Sequence, residues 1–197
     1  MATAAGLLAA NPWITRRKLD VAEYHRMAAA GILHEDDRVE LIEGELVEMA
    51  PIGAPHSGTV NSLTRLLVRA TGDRAVVSVQ NPIRLDDRSE PEPDFTLLRP
   101  RTDDYRLYTP VPADVLLLIE VADSSLRYDR NIKLPLYARH DIPEVWIVDV
   151  EHGSVEVHRD PMAGAYGTIS REASGAVLTP SLLPGVTVEV ADVLGRL

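Results

Sequence analysis

The chain has 197 residues, 45% of them apolar and 25% charged, the balance of a soluble globular protein with enough length to bury one proper core. It contains no cysteine, which excludes disulfides, thiolate metal sites and cysteine nucleophiles. Its 30 acids against 20 lysines and arginines give a net charge of -10, which speaks against a broad cationic surface for nucleic acid but leaves room for a local basic face or an acidic metal site.

No apolar stretch approaches the ~20 residues that span a membrane, and a cytoplasmic location is expected. Met1 to Ala10 is rich in Ala and Leu but has no basic residue ahead of its apolar part, so it is a poor signal peptide. Residues 1–18 are read as a flexible N-terminal tail and 19–197 as a single domain.

Leu19 to Ala30 reads as a helix, with Asp20 as N-cap and Gly31 as stop. Arg38 to Met49 alternates apolar and acidic residues about Glu43-Gly44, the pattern of a hairpin with one wet face. Its acids Glu40, Glu43, Glu45 and Glu48 read as mostly solvated, though any one of them could reach a site. Pro51 to Pro55 is a loop. Ser57 to Thr71 follows as a helix with Val60, Leu63, Leu67 and Ala70 on one stripe and Gly72 at its end. His56 falls just before it, where a lone histidine is more often structural than catalytic.

Ala75 to Gln80 and Ile83 to Leu85 are strand-like, and Arg88 to Pro93 is a polar loop. Asp94 then opens the apolar run Phe95-Thr96-Leu97-Leu98. Pro100 to Pro112 is a long surface loop with three prolines and two tyrosines, of the kind that carries function. Val115 to Ala122 is an apolar run interrupted by Glu120, and a carboxylate inside a buried strand is costly unless paired or bound to a metal. Asp129 to Arg139 is expected to be helical, with Pro135 denying an unbroken helix and with Lys133 and Tyr137 on one face. Glu144 to Val150 is another buried strand, Ser154 to Arg159 an edge hairpin partner, Ala163 to Gly185 a turn-rich stretch, and Val186 to Val190 a last strand.

Two acids on neighbouring strands with a lysine on the next helix would make a divalent-cation site with a cationic helper. Plainer roles remain open: Asp94 as a strand-end cap, Glu120 paired with any basic residue, Lys133 paired with Asp129 one turn away. The order helix, strand, strand, strand, helix, strand places the chain in the α/β or α+β class, a mixed β-sheet flanked by helices with additional β-hairpins extending it at both ends.

That order, with acids on the second and third core strands, resembles the PD-(D/E)XK nuclease superfamily and, within it, the Uma-type restriction endonuclease family. The resemblance rests on Val39-Glu40-Leu41-Ile42-Glu43-Gly44-Glu45, Met49-Ala50-Pro51 through His56, Glu92-Pro93-Asp94, Ile119-Glu120-Val121-Ala122-Asp123-Ser124-Ser125, Tyr128 to Lys133, Leu136-Tyr137-Ala138 and Ile142 to Asp149. It spans roughly residues 20 to 160. It implies a restriction-endonuclease-like core and a divalent-metal-dependent endonuclease using Mg2+ or Mn2+. Asp94 and Glu120 would be the metal ligands, with the Val121 carbonyl as a further oxygen. Ala122 stands where the superfamily has its lysine, and Lys133 on the following helix is the implied substitute. Glu40 is the implied additional catalytic acid, and His56 would line the cleft as a substrate contact.

DNA is the expected partner, with a homodimer as one way to reach both strands. Arg99, Arg101, Arg127 and Arg130 flank the site in sequence and could touch the DNA backbone, although each singly reads better as an ordinary surface charge. Two other functions compete: a catalytically silent module that kept the fold to bind nucleic acid or protein, and a metal-dependent hydrolase acting on something other than DNA.

Overall fold

The computed structural model describes residues 15–34, 36–49 and 51–195. The expected tail lies outside these residues up to position 14. Just after it, Arg16 and Lys18 reach Glu45 at 3.1 and 2.9 Å, and Arg17 pairs with Glu23. Helix α1, Val21–Ala29, starts where the sequence places it: the Asp20 carboxylate accepts the Glu23 N–H at 2.7 Å and the Glu23 carboxylate accepts the Asp20 N–H at 3.2 Å.

Strands β1 (Val39–Ile42) and β2 (Glu45–Glu48) form the expected hairpin. Its two turn residues, Glu43 (φ 48) and Gly44 (φ 78), are both left-handed, as a two-residue hairpin turn requires. Gly44 is also sterically required, because a Cβ there would lie 2.7 Å from the Lys18 Cβ and 2.9 Å from the Leu19 carbonyl. The hairpin does not extend the main sheet. It stands as a two-stranded sheet of its own, tied back by a bridge between Leu41 and Glu90.

Helix α2, Ala54–Thr71, begins three residues earlier than its apolar stripe suggests. Pro55 sits in its first turn, where a missing N–H costs nothing and the fixed φ is already helical. His56 therefore lies within the first turn rather than ahead of it.

The main sheet has the order β3-β4-β5-β6-β7-β8, with β3 Val76–Val79, β4 Phe95–Leu98, β5 Val115–Ala122, β6 Glu144–Asp149, β7 Ser154–Met162 and β8 Ala165–Ala173. All neighbours are antiparallel except β5 and β6, which are parallel and joined by a helical crossover. Two sequence expectations change here. Strand β7 is interior, because the supposed turn-rich stretch after Ala163 supplies the real edge, β8. Ile83 to Leu85 forms no strand, although Ile83 and Leu85 are buried in the core.

The crossover runs through α3 (Leu126–Tyr128), a π-helical turn (Asp129–Lys133) and α4 (Leu134–Arg139). Pro135 does not break it. The Leu134 N–H reaches back five residues to the Asp129 carbonyl, and this wider turn makes room for the proline ring just as the next helical segment begins. At the C-terminal side, β9 (Val177–Leu178) pairs with β10 (Val188–Glu189), and Val190 opens a short helix α5 (Val190–Val193) instead of continuing the strand.

Each face of the sheet carries its own core. Leu63 and Leu67 of α2 pack with the C-terminal segment against Leu117, Ile119, Trp146 and Val148. Leu136, Tyr137 and Ala138 of α4 pack against Leu118, Ala122, Val145 and Ile147 on the other face. The period of two along β5 puts Glu120 on the second face, between Leu118 and Ala122 and beneath the crossover helices. Among the described residues no helix is long and apolar enough to cross a membrane.

Candidate active site

The antiparallel register fixes the first contact. Phe95 lies opposite Ile119, so Asp94, one residue before β4, falls beside Glu120. The Asp94 N–H is 3.4 Å from Glu120 Oε2, and the Asp94 carboxylate accepts the Val121 N–H at 2.9 Å. His56 Nε2 stands 3.1 Å from the Asp94 carboxylate, and the Gln80 amide donates to its Oδ1 at 3.2 Å.

Glu120 is held from the helical side. The Tyr137 hydroxyl donates to Glu120 Oε1 at 2.6 Å, and Lys133 Nζ lies 3.3 Å from the same oxygen. Lys133 also reaches Glu40 Oε2 at 3.2 Å. The Tyr128 hydroxyl donates to Glu40 Oε1 at 2.9 Å, and the Glu92 N–H to its Oε2 at 3.1 Å. Glu40 is 0% exposed, so the wet face expected of the hairpin fails at this residue. The other hairpin acids behave as expected or nearly so: Glu43 pairs with Arg139, Glu45 with Lys18, and Glu48 faces the cleft.

These groups floor a cleft of about 520 Å³ between the hairpin, the start of α2 and the ends of β4 and β5. Eight carboxylate side chains line it against two permanently cationic ones, Lys133 and Arg38. Burial pushes the Glu120 carboxyl up to about 8, outweighing the pull of Lys133. Burial likewise pushes Asp129 up to about 6, and burial with the nearby Glu40 raises Glu92. Desolvation works to neutralise Lys133, but Glu120, Glu40 and Asp129 around it hold it firmly cationic. Asp94 goes the other way: burial would raise it, yet the His56 contact and the Val121 and Gln80 hydrogen bonds keep it below the usual carboxylate range. His56 is raised in turn, chiefly by its hydrogen bond to Asp94.

Asp94, Glu120, Lys133, Glu40 and His56, which the sequence singles out, are thus brought together. The arginines are not. Arg130 pairs with Glu156, Arg101 with Asp103, and Arg99 Nε donates to the Ala113 carbonyl, all away from the cleft floor. Sequence reasoning missed Gln80, Glu92 and Asp129. A glutamine ending a strand carries no signal, and an acid in a polar loop or first helical turn looks solvated. Tyr137 had one, its spacing of four from Lys133.

Among the described residues no three histidines or acids converge as a ready-made metal cage. The donor chemistry nonetheless fits a hard divalent ion, which takes one or two carboxylates and fills its remaining positions with water and substrate oxygens. A carboxyl driven towards its neutral form beside an ionised Asp94, in a cleft with a large excess of acids, is a site short of positive charge.

The family Uma2, described as "Putative restriction endonuclease", matches residues 21–191. Among solved structures the chain is similar to "a putative nuclease belonging to DUF820" from Anabaena variabilis ATCC 29413, at 16% identity and a TM-score of 0.69, covering 89% of this chain and 97% of that one. At that identity the likeness is one of fold. No curated protein matches the chain.

Proposed function

The chain belongs to the Uma2 family, and from that premise we propose that it is a divalent-metal-dependent endonuclease that hydrolyses DNA phosphodiester bonds. The observation that carries this reading is the pairing of Asp94 with Glu120 on adjacent strands, beneath a buried lysine that touches Glu120 and Glu40. The family's description and the nuclease named for the similar structure support the same class of activity.

Asp94 and Glu120 would hold Mg2+ or Mn2+. When bound, such an ion polarises the scissile phosphate and makes a water nucleophilic near neutral pH. The chain's own groups do the rest. His56, Gln80 and the Val121 N–H fix both Asp94 oxygens, so the carboxylate cannot swing. Tyr137 fixes Glu120. Glu40, itself held by Tyr128 and the Glu92 N–H, holds Lys133 in place. Two contacts engage the lysine ammonium and leave one N–H to orient the attacking water or to meet charge developing on the phosphate. A homodimer would bring two such sites to two strands; a monomeric mass by analytical ultracentrifugation at assay concentration rules it out.

The test is calorimetric titration of Mg2+ and Mn2+ into wild type and into the Asp94→Ala/Glu120→Ala double variant, with plasmid nicking measured on the same samples. Metal binding confined to wild type, with nicking that tracks it, is the expected result. Lys133→Met should then keep metal binding and lose about 10²–10³-fold in nicking. Metal binding without nicking would point to another substrate. No metal binding, even with DNA present, would leave a catalytically silent module.

A further inference from the structure

The active cleft sets eight carboxylates against Lys133 and Arg38 and offers little aromatic surface with which to grip a strand. The aromatic side chain that lines it, Tyr128, has its hydroxyl committed to Glu40 and Lys133 5.9 Å from its ring. Elsewhere Phe95, Trp146, Tyr137 and Tyr166 are buried in the core. Two of the remaining tyrosines, Tyr105 and Tyr108, stand together in the long loop between β4 and β5.

That loop walls a second groove, of about 570 Å³, whose floor is Val76, Val77 and Ser78 of edge strand β3. The groove adjoins the cleft. Gln80, which holds Asp94, lines the cleft, and its neighbour Asn81 lines the groove. From Gln80 back to Val76 the strand covers roughly 13 Å at about 3.3 Å per residue, the reach of a few nucleotides.

The wall is preorganised. The Arg101 guanidinium lies 4.4 Å from the Tyr108 ring centroid and 5.2 Å from that of Tyr105, and the two rings are 5.7 Å apart. Asp103 fixes Arg101 through contacts of 2.8 and 3.1 Å. The Tyr108 hydroxyl accepts from Arg101 and donates to Asp114, while the Tyr105 hydroxyl donates to the Arg99 carbonyl. Tyr108 remains 37% exposed and its neighbour Leu107 84%. The charged side chains that line the groove are Asp104 and Arg106, so it is near neutral where the cleft is acidic. Grip of this kind comes from stacking on π-faces and a guanidinium plane, which any base offers and accepts.

We propose that this groove is the track for the nucleic-acid strand flanking the scissile phosphodiester, its bases stacked on the Tyr105–Arg101–Tyr108 platform. The assignment of the strand as substrate rests on the nuclease reading above. Two readouts keep the two ideas separate. One is fluorescence anisotropy of labelled oligothymidylates of about 12 and about 4 nucleotides in Ca2+. The other is hydrolysis of bis(p-nitrophenyl) phosphate in Mn2+, which has no flanking strand.

The expected result is that wild type prefers the longer oligonucleotide, and that Tyr108→Ala weakens it roughly tenfold. Phosphodiester hydrolysis should be unaltered, and Tyr108→Phe should keep the affinity. Arg106→Glu, an exposed position outside the loop's internal side-chain bonds, should weaken the longer oligonucleotide too, so that loss does not merely report an unfolded loop. Wild-type affinity in both Tyr108→Ala and Arg106→Glu, or no preference for length, overturns the proposal even if the small ester is cut. Groove-dependent binding in a protein that cuts neither substrate upholds the groove as a nucleic-acid site and removes the nuclease reading instead.

Discussion

Two residues show how local cost marks function and how it does not. Gln80 has φ 50, a left-handed backbone that a glutamine adopts at a cost, and its side chain meets Asp94. The strain sits beside the proposed metal pair, where the Gln80–Asp94 bond is what it would serve. Gln80→Gly is expected to keep or slightly raise the melting temperature, since glycine takes that φ freely. Nicking should fall about tenfold, as when a partner orienting a ligand is lost; nicking at the wild-type rate would strip the amide of any such role. His158 is the contrast. It is buried on β7, its Nδ1 has no hydrogen-bond partner, its Nε2 stands a long 3.5 Å from the Glu156 carboxylate, and its ring packs edge-on to Tyr166 of β8. Burial holds its pKa below the ordinary 6.5; Glu156 on its own strand opposes this and Arg130 from the π turn reinforces it. A histidine with a depressed folded-state pKa favours the fold fully above its unfolded value and progressively less as pH drops beneath it, down to its folded value. Denaturant unfolding followed from about pH 6.5 down to 5 should show a shallower loss of stability in His158→Phe than in wild type. Identical acid limbs would mean that the ring is already solvated.

At the scale of elements, the crossover helix decides whether the site exists. Asp129 and Lys133 are both buried in its π turn, while Tyr128 just before the turn reaches Glu40 and Tyr137 just after it reaches Glu120. Arg130 clamps the outer side of the turn to Glu156 with bonds of 3.0 and 2.5 Å. Deleting the exposed Asn131 would restore a regular i to i+4 pattern and rotate one flank by about 100° relative to the other. Far-UV circular dichroism should stay close to wild type while nicking falls at least about 10²-fold; full activity in the deletion would show that the wider turn is incidental. The sequence could not announce this turn. Pro135 reads as a breaker because the proline rule describes a regular helix, and the widened turn ahead of it escapes that rule. The apolar runs of β4, β5 and β6 were legible because burial on both faces leaves no alternative to continuous Leu, Ile and Val. Strand β8 was not, because it is an edge strand with mostly exposed side chains, and its Thr, Ser and Arg look like loop. Glu40 was legible as a site residue only through the family resemblance. By pattern it is one of four alternating acids, and nothing local tells that α1 and the crossover helices close over it.

For the whole molecule the problem is charge. A protein with net charge -10, whose cleft is lined by eight carboxylates, repels the polyanion it is proposed to cut. Ordinary DNA-binding proteins neutralise phosphates with Lys and Arg, release counterions and lose affinity steeply as salt rises. Here Lys133 is already engaged by Glu40 and Glu120, Lys133 and Arg38 together face eight carboxylates in the cleft, and the nearby groove is close to neutral. Without a divalent ion, added NaCl should screen repulsion more than it competes with attraction. Affinity for DNA in EDTA is therefore expected to stay flat or rise as NaCl goes from about 50 to 200 mM, the reverse of a cationic binder. Mg2+ at fixed ionic strength should strengthen binding in wild type and not in the Asp94→Ala/Glu120→Ala variant. Anisotropy of a labelled duplex across that grid of salt and metal separates the cases. A steep fall with NaCl in EDTA would reveal a cationic track that the described surface does not offer. Metal enhancement in both proteins would mean that the ion merely screens the surface as a whole. Enhancement in wild type alone ties DNA affinity to the Asp94–Glu120 pair, because replacing two acids with alanine removes repulsion and would by screening alone have tightened binding.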